Sequence, residues 1–202
     1  MLTFYHAPQS RSTRVLTLIE AMNLHDWIEV REVSITHFDG SGRPDPANPH
    51  PEGKVPLLVH DGVEIWESAA ILLYLTDLFP DAGLGVPVGD PLRGRYLSWL
   101  AWYAGVLEPV LIHDAAGLAH PFLSATFRGV AEMRDRLSRA LGQGPWLVGD
   151  RYTAADLLCS SPYLWFQDLD PGCDLIRDWV ARCAAHPARM AATKRDGQAL
   201  AA

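Results

Sequence analysis

The sequence predicts an α/β domain followed by an all-helical domain, and three observations support this fold class. Over roughly the first 80 residues, strand-like segments alternate with helix-like segments. Pro80–Pro91 then forms a linker that is rich in glycine and proline. After the linker, apolar residues recur with helical spacing and no convincing strand appears. We therefore predict an α/β domain over residues 1–80, a linker over 81–90 and a helical domain over 91–202.

The α/β domain begins with two predicted strands that a helix connects. Leu2–His6 alternates in polarity and is rich in aromatic residues, which favours a strand. The run after Ser10 has apolar residues at helical spacing as far as the stop signal Asn23. A second strand is predicted over Ile28–Ile35. The connection between the two strands has the length of a crossover between parallel strands.

A β-hairpin is predicted where Asp61-Gly62 separates two short apolar runs. Such a turn needs positive φ, which this pair of residues adopts readily. Pro56 has no N–H for a β-ladder, so it should precede the strand that contains Val59. Ser68 follows the second strand and opens a helix-periodic run, as a helix N-cap would. Together the segments predict a four-stranded mixed sheet with helices packed on it.

The helical domain carries clear start and stop signals. The predicted helices cover residues 92–119, 122–141, 157–168 and 173–185, with 188–202 as a last helix or a frayed tail. Pro109 should kink or split the first of these helices. Thr153 and Asp156 have the spacing of a capping box, and their loss should cost about 1 kcal/mol or more of helix stability.

Charge and cysteine content narrow the classes of function. The net charge is −7 and the pI is near 5.5, which argues against nucleic acid because phosphate contacts need a basic face. Three cysteines at positions 159, 173 and 183, without a CxxC motif, fit a reducing compartment better than a disulfide framework. No signal peptide or apolar stretch of membrane-spanning length is visible. We expect a cytoplasmic protein with neither nucleic-acid nor membrane partners.

Glu67 and Ser68 form a candidate site for a small charged ligand. They follow the hairpin directly and stand at a predicted helix start, where N–H groups and the positive end of the macrodipole favour a carboxylate. The polar loop over residues 37–52 is either a mobile connector or a cover for a binding site. His113 and His120 are seven residues apart but have no third ligand in register, so we expect no metal site.

Four segments of the chain resemble the glutathione transferase family. They are Ser10–Val15, Gly53–Pro56, Glu67–Ile71 and Gly149–Asp156. In this order and spacing they match the family strongly, and the resemblance covers the whole chain. It implies a thioredoxin-like first domain that binds glutathione and a helical second domain that covers a hydrophobic electrophile. It also implies a cytosolic homodimer with a role in detoxification and no permanently bound cofactor, since glutathione is a co-substrate.

The resemblance implies that glutathione binds to residues of the first domain. These residues are His37, Lys54, Val55, Pro56, Glu67 and Ser68. The family holds this proline in the cis form, so that the peptide groups of Val55 would pair with the cysteinyl backbone of glutathione. Glu67 would take the ammonium group of the ligand, and Ser68 would take its γ-glutamyl carboxylate. Lys54 and His37 are the best cations for the glycyl carboxylate.

Ser10 stands where the serine-type members of the family keep the hydroxyl that activates the thiol. The reaction needs a thiolate, because the thiol is a poor nucleophile. Lowering a thiol pKa from about 8.5 to about 7 takes roughly 2 kcal/mol, whereas one neutral hydrogen bond contributes about 1 kcal/mol. The positive end of the following helix could supply the rest. Ser12 and then Tyr5 are alternative hydroxyls, and Ser10 alone could be only an N-cap.

The acceptor pocket is implied by the resemblance alone, because the family places it against the first long helix of the second domain. The residues expected there are Trp102, Tyr103, Leu107 and His113. No cysteine precedes Cys159, which departs from members with an active cysteine near the first helix. Exchange through the protein's own thiol is therefore not expected. Conjugation, dehalogenation, isomerisation and peroxide reduction all use the same glutathione thiolate and stay open.

A non-catalytic role is the alternative prediction. The same fold serves as an interaction module, as in proteins that resemble the stringent starvation regulators, and as a ligandin-like carrier of apolar compounds. Ser10, Lys54, Pro56, Glu67 and Ser68 occur together, however, and a pure scaffold would not need this set. The sequence therefore favours a glutathione transferase that adds the glutathione thiolate to an electrophilic small molecule.

Overall fold

The described part of the chain forms two compact units. The computed structural model describes residues 1–37, 39–166 and 168–199. The first unit combines Met1–Leu75 with the described residues from His186 onward, and the second comprises Thr76–Ala185. The C-terminal segment therefore joins the first unit, although the predicted boundaries assigned it to the helical domain.

Among the described residues, four strands form one mixed sheet. They are β1 (Leu2–His6), β2 (Ile28–Glu32), β3 (Leu57–His60) and β4 (Val63–Trp66). Their spatial order is β2-β1-β3-β4, in which β1 and β2 are parallel and the other neighbours are antiparallel. Helix α1 (Thr13–Met22) connects the parallel pair, and helix α2 (Ser68–Leu78) follows β4. The predicted mixed sheet is confirmed.

Strand β2 is shorter than predicted, since it ends at Glu32 rather than at Ile35. The reason lies in the bonds of Ser34. Its N–H donates to Asp45 Oδ2 at 3.1 Å, and its hydroxyl donates to the Arg43 carbonyl at 3.0 Å. The polar loop therefore takes over the hydrogen bonds that a longer β-ladder would have used.

The hairpin turn between β3 and β4 depends on two residues with positive φ. The φ angle is 49° at Asp61 and 85° at Gly62. Positive φ at both central residues is the signature of a type I′ turn, whose twist matches that of the flanking strands. The predicted hairpin and its turn residues are confirmed.

Gly62→Ala is expected to lower the free energy of unfolding by about 1–2 kcal/mol, because a Cβ disfavours the left-handed region. Beyond the chain neighbours, no atom of the described residues lies within 4 Å of a Cβ built there, so the loss would come from the backbone alone.

Gly94 supplies the matched control for Gly62. It lies in helix α3 (Arg93–Trp102), and a Cβ at this position likewise meets no described atom within 4 Å beyond its neighbours and its own helix backbone. Gly94→Ala should raise stability by about 0.5–1 kcal/mol, because alanine is the better helix former. Urea unfolding of both variants measures the difference. Effects of the same sign would contradict the assignment of strain to the turn.

Helix α9 (Pro187–Ala199) packs against α1 within the first unit. Ala188 and Ala192 are buried in this helix, and small side chains allow two helices to approach closely. Asp196 is also buried and accepts a hydrogen bond from the Thr13 hydroxyl of α1 at 2.6 Å. Of the segment predicted as a last helix or a frayed tail, the described residues form a helix that this carboxylate anchors, and residues 200–202 lie outside the described residues.

The second unit is helical. Besides α3 it contains α4 (Glu108–Ala115), α5 (Pro121–Phe127), α6 (Val130–Leu141), α7 (Ala154–Trp165) and α8 (Asp174–Ala184). A π-helical segment, Tyr103–Leu107, connects α3 with α4. Pro109 lacks the N–H that would bond to the Gly105 carbonyl, and its ring would meet that carbonyl in a regular helix. The change of hydrogen-bond pattern therefore occurs where the proline predicts an interruption.

The single helix predicted over residues 122–141 is wrong, because the structure has two helices there. Arg128 adopts a φ of 62° between α5 and α6, which interrupts the helical hydrogen bonds. Gly129 is extended and precedes the first residue of α6. At the start of α5, the Phe122 N–H donates to His120 Nδ1 at 3.2 Å. His120 is therefore a helix cap.

Two further kinds of feature are missing from the part of the chain that the structure describes. No helix in it is both long enough and apolar enough to cross a membrane. It also contains no group of three or more His, Cys, Asp or Glu side chains that could hold a metal ion.

Candidate functional site

The register of the sheet brings the predicted binding segments to one edge. Tyr5 near the end of β1 lies opposite Leu57, the first residue of β3, and Leu57 lies opposite Trp66, the last residue of β4. The chain therefore leaves β1, enters β3 and leaves β4 at the same edge. The five candidate residues at this edge are Ser10, Val55, Pro56, Glu67 and Ser68, and we call them the sheet-edge site.

Val55 and Pro56 form the entry to β3. The peptide bond between them is cis, as the resemblance implied. Pro56 is buried and Val55 is half-buried. The loop before them is anchored by Asn48, whose Nδ2 donates to the Lys54 carbonyl at 3.1 Å. Since Leu57 is the first residue of the ladder, the Val55 peptide groups lie outside the regular strand pairing.

Glu67 and Ser68 form the passage from β4 to α2. Glu67 is exposed and has a φ of 69°, an unusual value for a residue with a side chain. Its carbonyl accepts a hydrogen bond from the Ile71 N–H at 3.0 Å, so the helical pattern begins here. Ser68 is the first residue of α2 and is 8% exposed. A carboxylate and a helix N-terminus therefore stand side by side, suited to an ammonium and a carboxylate of one ligand.

The structure does not bring the two predicted cations together. Lys54 is exposed and forms an ion pair with Glu52, which lowers the pKa of the Glu52 carboxyl through a hydrogen bond. His37 is exposed in the polar loop, where its N–H donates to the Ser41 carbonyl at 2.8 Å. Within the described residues, no hydrogen bond or ion pair connects His37 with Lys54.

Ser10 lies in a tight turn before α1. Its hydroxyl donates to the Ala7 carbonyl at 2.7 Å and lies 2.6 Å from Ser12 Oγ. Ser10 Oγ also accepts a hydrogen bond from the Ser12 N–H at 3.1 Å. Because α1 begins at Thr13, Ser10 does not occupy the N-cap position. Ser10 instead caps the turn that leads into α1, and its role toward a ligand stays a prediction.

The two alternative hydroxyls are placed differently. Ser12 is completely buried, and its Oγ accepts a hydrogen bond from the Ala7 N–H at 3.1 Å. Tyr5 is 8% exposed and packs in an apolar cluster with Val33 and Leu57. Its hydroxyl accepts a long hydrogen bond of 3.5 Å from Arg31. Ser10 is 7% exposed, so it presents more surface to a ligand than Ser12 does.

Two functional candidates behind Ser12 were missed by the sequence patterns. His6 is buried, and its Nδ1 lies 2.8 Å from Ser12 Oγ while its Nε2 lies 3.0 Å from Asp196 Oδ1. Asp196 Oδ2 also accepts a hydrogen bond from the Gln9 N–H at 2.9 Å. We call Asp196, His6, Ser12 and Ser10 the buried polar chain. No local signal could have found it, because 190 residues separate its first two members.

Asp196 is held in its charged form by its surroundings. Burial raises the pKa of this carboxyl, but hydrogen bonds from His6, Thr13 and Gln9 outweigh burial and leave the pKa below its usual value. A buried carboxylate of this kind orients the groups that donate to it. His6 Nε2 therefore carries a proton toward Asp196, and Nδ1 faces Ser12.

All three cysteines belong to the second unit, with Cys159 in α7, Cys183 in α8 and Cys173 at the N-cap of α8. Cys159 and Cys183 are buried, and burial raises the pKa of the Cys183 thiol to about 12. A thiol with so high a pKa is a poor nucleophile at neutral pH.

The residues predicted for the acceptor pocket do not converge in the second unit. Trp102 lines a cavity of about 700 Å³ between α3 and α6. Tyr103 and Leu107 are buried in the helical core. His113 lies in a separate small cavity, with its ring 5.3 Å from that of Phe127. Of these residues, Trp102 is therefore the one placed against the larger cavity.

Comparison with known proteins agrees with this architecture. The chain matches the family model for the glutathione S-transferase N-terminal domain over residues 1–77 and the model for the C-terminal domain over residues 121–187. A sphingomonad glutathione S-transferase solved in complex with glutathione has the same fold, with a TM-score of 0.71 and 24% sequence identity. The match covers 96% of this chain and 98% of that protein.

Two curated relatives show the similarity at the level of sequence. Disulfide-bond oxidoreductase YfcG from Escherichia coli is 28% identical over 173 residues, which cover 79% of this chain and 77% of the relative. Glutathione S-transferase 3 from Schizosaccharomyces pombe is 37% identical over 178 residues, which cover 77% of this chain and 70% of the relative. With both family models matched and this second relative similar over most of its length, the chain belongs to the glutathione S-transferase family.

Proposed function

We propose that this protein is a glutathione transferase. Glutathione binds at the sheet-edge site, and its thiolate adds to an electrophilic, hydrophobic small molecule. Ser10 donates a hydrogen bond to the sulfur and so favours the thiolate over the thiol. The observation that supports the proposal is the strand register, in which the end of β1, the start of β3 and the end of β4 lie at the same edge of the sheet. Val55–Pro56 and Glu67–Ser68 directly adjoin these strand ends, and Ser10 follows β1 after a short turn.

The chemistry of glutathione fits the groups at this edge. Its γ-glutamyl end carries an ammonium and a carboxylate, which match the exposed Glu67 and the N-terminus of α2. Its cysteinyl backbone is extended and can pair with the Val55 peptide groups, as an added strand would. Lys54, on the adjoining loop, is the cation proposed for the glycyl carboxylate. No permanently bound cofactor is part of this proposal, and the proposed setting is a cytoplasmic homodimer that acts in detoxification.

A disulfide-bond oxidoreductase activity is a second candidate, because the relative from Escherichia coli carries that name. The reducing thiol would then come from bound glutathione, since Cys159 and Cys183 are buried and Cys173 is not part of a CxxC motif. Product analysis separates the two candidates. A transferase forms a thioether of glutathione, whereas an oxidoreductase forms glutathione disulfide and leaves the electrophile unchanged.

Calorimetric titration with glutathione tests the proposed ligand. We expect binding with a Kd between about 1 µM and a few millimolar, the range of an ordinary co-substrate site. If about 10 mM glutathione produces neither heat nor a rise in the melting temperature of the protein, the proposal is contradicted. It would favour the alternative of a non-catalytic interaction or carrier protein.

Glu67→Gln is expected to weaken glutathione binding by roughly tenfold, because it removes the charge that pairs with the ammonium. Glu64→Gln is the matched control, since Glu64 lies within β4 opposite Val59 rather than at the edge. The control should bind glutathione as the wild type does. Equal affinities of the two variants would show that Glu67 does not hold the ammonium.

A further inference from the structure

The buried polar chain forms a continuous path from the C-terminal helix to the sheet-edge site. Asp196 Oδ1 lies 3.0 Å from His6 Nε2, and His6 Nδ1 lies 2.8 Å from Ser12 Oγ. Ser12 Oγ in turn lies 2.6 Å from Ser10 Oγ. Each of these residues is at most 7% exposed, so water does not compete for the bonds. The path joins a carboxylate to an imidazole and then to two hydroxyls.

The protons of this path can be counted from the donors and acceptors. With a neutral His6 whose Nε2–H points to Asp196, Nδ1 is an acceptor, and the Ser12 hydroxyl donates to it. Ser12 Oγ is then left to accept, from the Ala7 N–H and from the Ser10 hydroxyl. In this state the Ser12 proton points toward His6, and the Ser10 proton points inward, toward Ser12 Oγ or the Ala7 carbonyl.

A protonated His6 reverses the direction of the His6–Ser12 and Ser12–Ser10 bonds, whereas Nε2–H donates to Asp196 in both states. Nδ1–H then donates to Ser12 Oγ, so the Ser12 hydroxyl turns to donate to Ser10 Oγ. Ser10 is thereby free to donate its own proton outward. The protonation state of His6 thus decides whether Ser10 points its proton inward or toward a ligand in the sheet-edge site.

We propose that His6, held by Asp196, takes up the proton that the glutathione thiol releases, through Ser10 and Ser12. The inference rests on the proposed function, since it needs a thiol at Ser10. His6, Ser12 and Asp196 are positioning residues that act through Ser10. The bound thiolate would then be stabilised by a Ser10 hydroxyl whose direction a buried imidazolium and carboxylate determine.

The step balances without any further reactant. The thiol S–H bond breaks and its proton joins Ser10 Oγ. The former Ser10 proton moves to Ser12 Oγ, and the former Ser12 proton moves to His6 Nδ1. The products are a thiolate and an imidazolium, with each hydroxyl again holding one proton. The negative charge that appears on sulfur is matched by the positive charge that appears on the ring.

A carboxylate lies beside the ring that would take up the proton. The imidazole lies against Asp196 from α9, Ser12 from the turn and the Phe4 ring from β1. The Asp196 carboxylate is in direct contact with the ring, so a proton that arrives on Nδ1 would create a paired charge rather than an isolated one. The imidazolium would add to the stabilisation of the thiolate by the neutral hydrogen bond from Ser10 and by the N-terminus of α1.

The test measures ionisation of bound glutathione, which appears as ultraviolet thiolate absorbance across a pH titration. His6→Gln keeps an N–H that can donate to Asp196 but cannot accept a proton. Ser12→Ala breaks the path between His6 and Ser10. In both variants we expect the apparent pKa of the bound thiol to rise by about one unit or more, so that roughly tenfold less thiolate forms below that pKa.

Thr17→Val is the control for loss of a buried hydroxyl near the site. The Thr17 hydroxyl donates to the Thr13 carbonyl at 2.7 Å within α1 and is not part of the path. This variant should leave the thiol pKa unchanged. An unchanged thiol pKa in folded His6→Gln and Ser12→Ala protein that still binds glutathione would overturn the inference alone. Absence of glutathione binding by the wild type would overturn the proposed function, and the inference with it.

A measurement on the wild type does not depend on the stability of any variant. Nitrogen-15 spectra of the histidine rings distinguish a neutral imidazole from an imidazolium. We expect the His6 ring to change from the neutral Nε2–H form to the doubly protonated form when glutathione binds. The binding-linked signal belongs to His6 if it is absent from the His6→Gln spectrum. A His6 ring that stays neutral in the glutathione complex would overturn the inference.

Discussion

Asp156→Ala is expected to lower the free energy of unfolding by about 3–5 kcal/mol, the loss typical of removing one partner from a buried charged network. The Asp156 carboxylate is completely buried and joins three parts of the second unit. Oδ1 accepts hydrogen bonds from the Leu147 N–H at 2.9 Å and from the Trp179 indole N–H at 3.0 Å. Oδ2 accepts from the Thr153 N–H at 3.0 Å and from its hydroxyl at 3.1 Å.

The expected loss exceeds that of a helix cap because each of these donors would be left buried without an acceptor. Burial raises the pKa of Asp156, while the hydrogen bonds from Leu147, Thr153 and Trp179 act in the opposite direction. The buried carboxylate therefore needs these donors to offset the cost of burying its charge, and the buried donors need the carboxylate as their hydrogen-bond acceptor. Natural domains have a free energy of unfolding of only about 5–15 kcal/mol, so this variant should retain only a small margin of stability.

Chemical denaturation at constant pH measures this prediction. Asp178→Ala is the matched control, because Asp178 is an exposed aspartate on α8 next to Trp179. Its effect should stay within about 0.5 kcal/mol, as for other surface substitutions. A loss of only about 1 kcal/mol for Asp156→Ala would mean that Asp156 acts as a local cap and no more.

Ser10→Ala is expected to reduce kcat/KM for conjugation by about 10- to 100-fold, with a smaller effect on glutathione affinity. A hydrogen bond to a charged acceptor contributes about 1.5–3 kcal/mol, and each 1.36 kcal/mol is a factor of ten in rate. The effect falls on the rate rather than on binding because the bond to sulfur strengthens as negative charge develops there. The binding contacts proposed for Glu67 and Val55 stay intact in this variant.

Steady-state kinetics with a panel of electrophiles, together with calorimetry, checks this prediction. Tyr5→Phe is the informative comparison, since Tyr5 is the hydroxyl that packs in the apolar cluster beside Leu57. If Tyr5→Phe loses turnover while Ser10→Ala retains it, the tyrosine is the activating group and the assignment of Ser10 is wrong. Loss in Ser10→Ala alone supports the proposed function.

Much of the fold follows from local patterns in the sequence. Asp61-Gly62 determines the hairpin, because few residues other than glycine and asparagine or aspartate tolerate positive φ. The capping box of Thr153 and Asp156 starts α7 where the spacing predicts it. Pro109 predicts an interruption at the position of the π-helical segment. Each of these signals involves only a few neighbouring residues, so the turn, the helix start and the helix interruption can be predicted from the local sequence.

Local patterns were less informative where a break or an end depends on distant partners. Arg128 carries no sequence signal for positive φ, yet it separates α5 from α6. Ser34 leaves β2 because its hydrogen bonds go to Asp45 and Arg43 in the polar loop. The sequence of α9 alone does not distinguish a helix from an alanine-rich tail, and the packing of its small side chains against α1 makes it a helix of the first unit.

The sequence by itself determined the family, the mixed sheet, and Ser10, Pro56, Glu67 and Ser68 as candidate site residues. Such features depend on turn chemistry, periodicity and motif spacing, all of which are properties of neighbouring residues. Only the tertiary structure decided that Asp196 lies behind His6, because no periodicity relates residues 190 positions apart. It also decided that Asp156 joins Leu147 to Trp179 as well as capping α7. Side-chain networks of this kind depend on how helices and strands pack, and packing is specified by the whole chain at once.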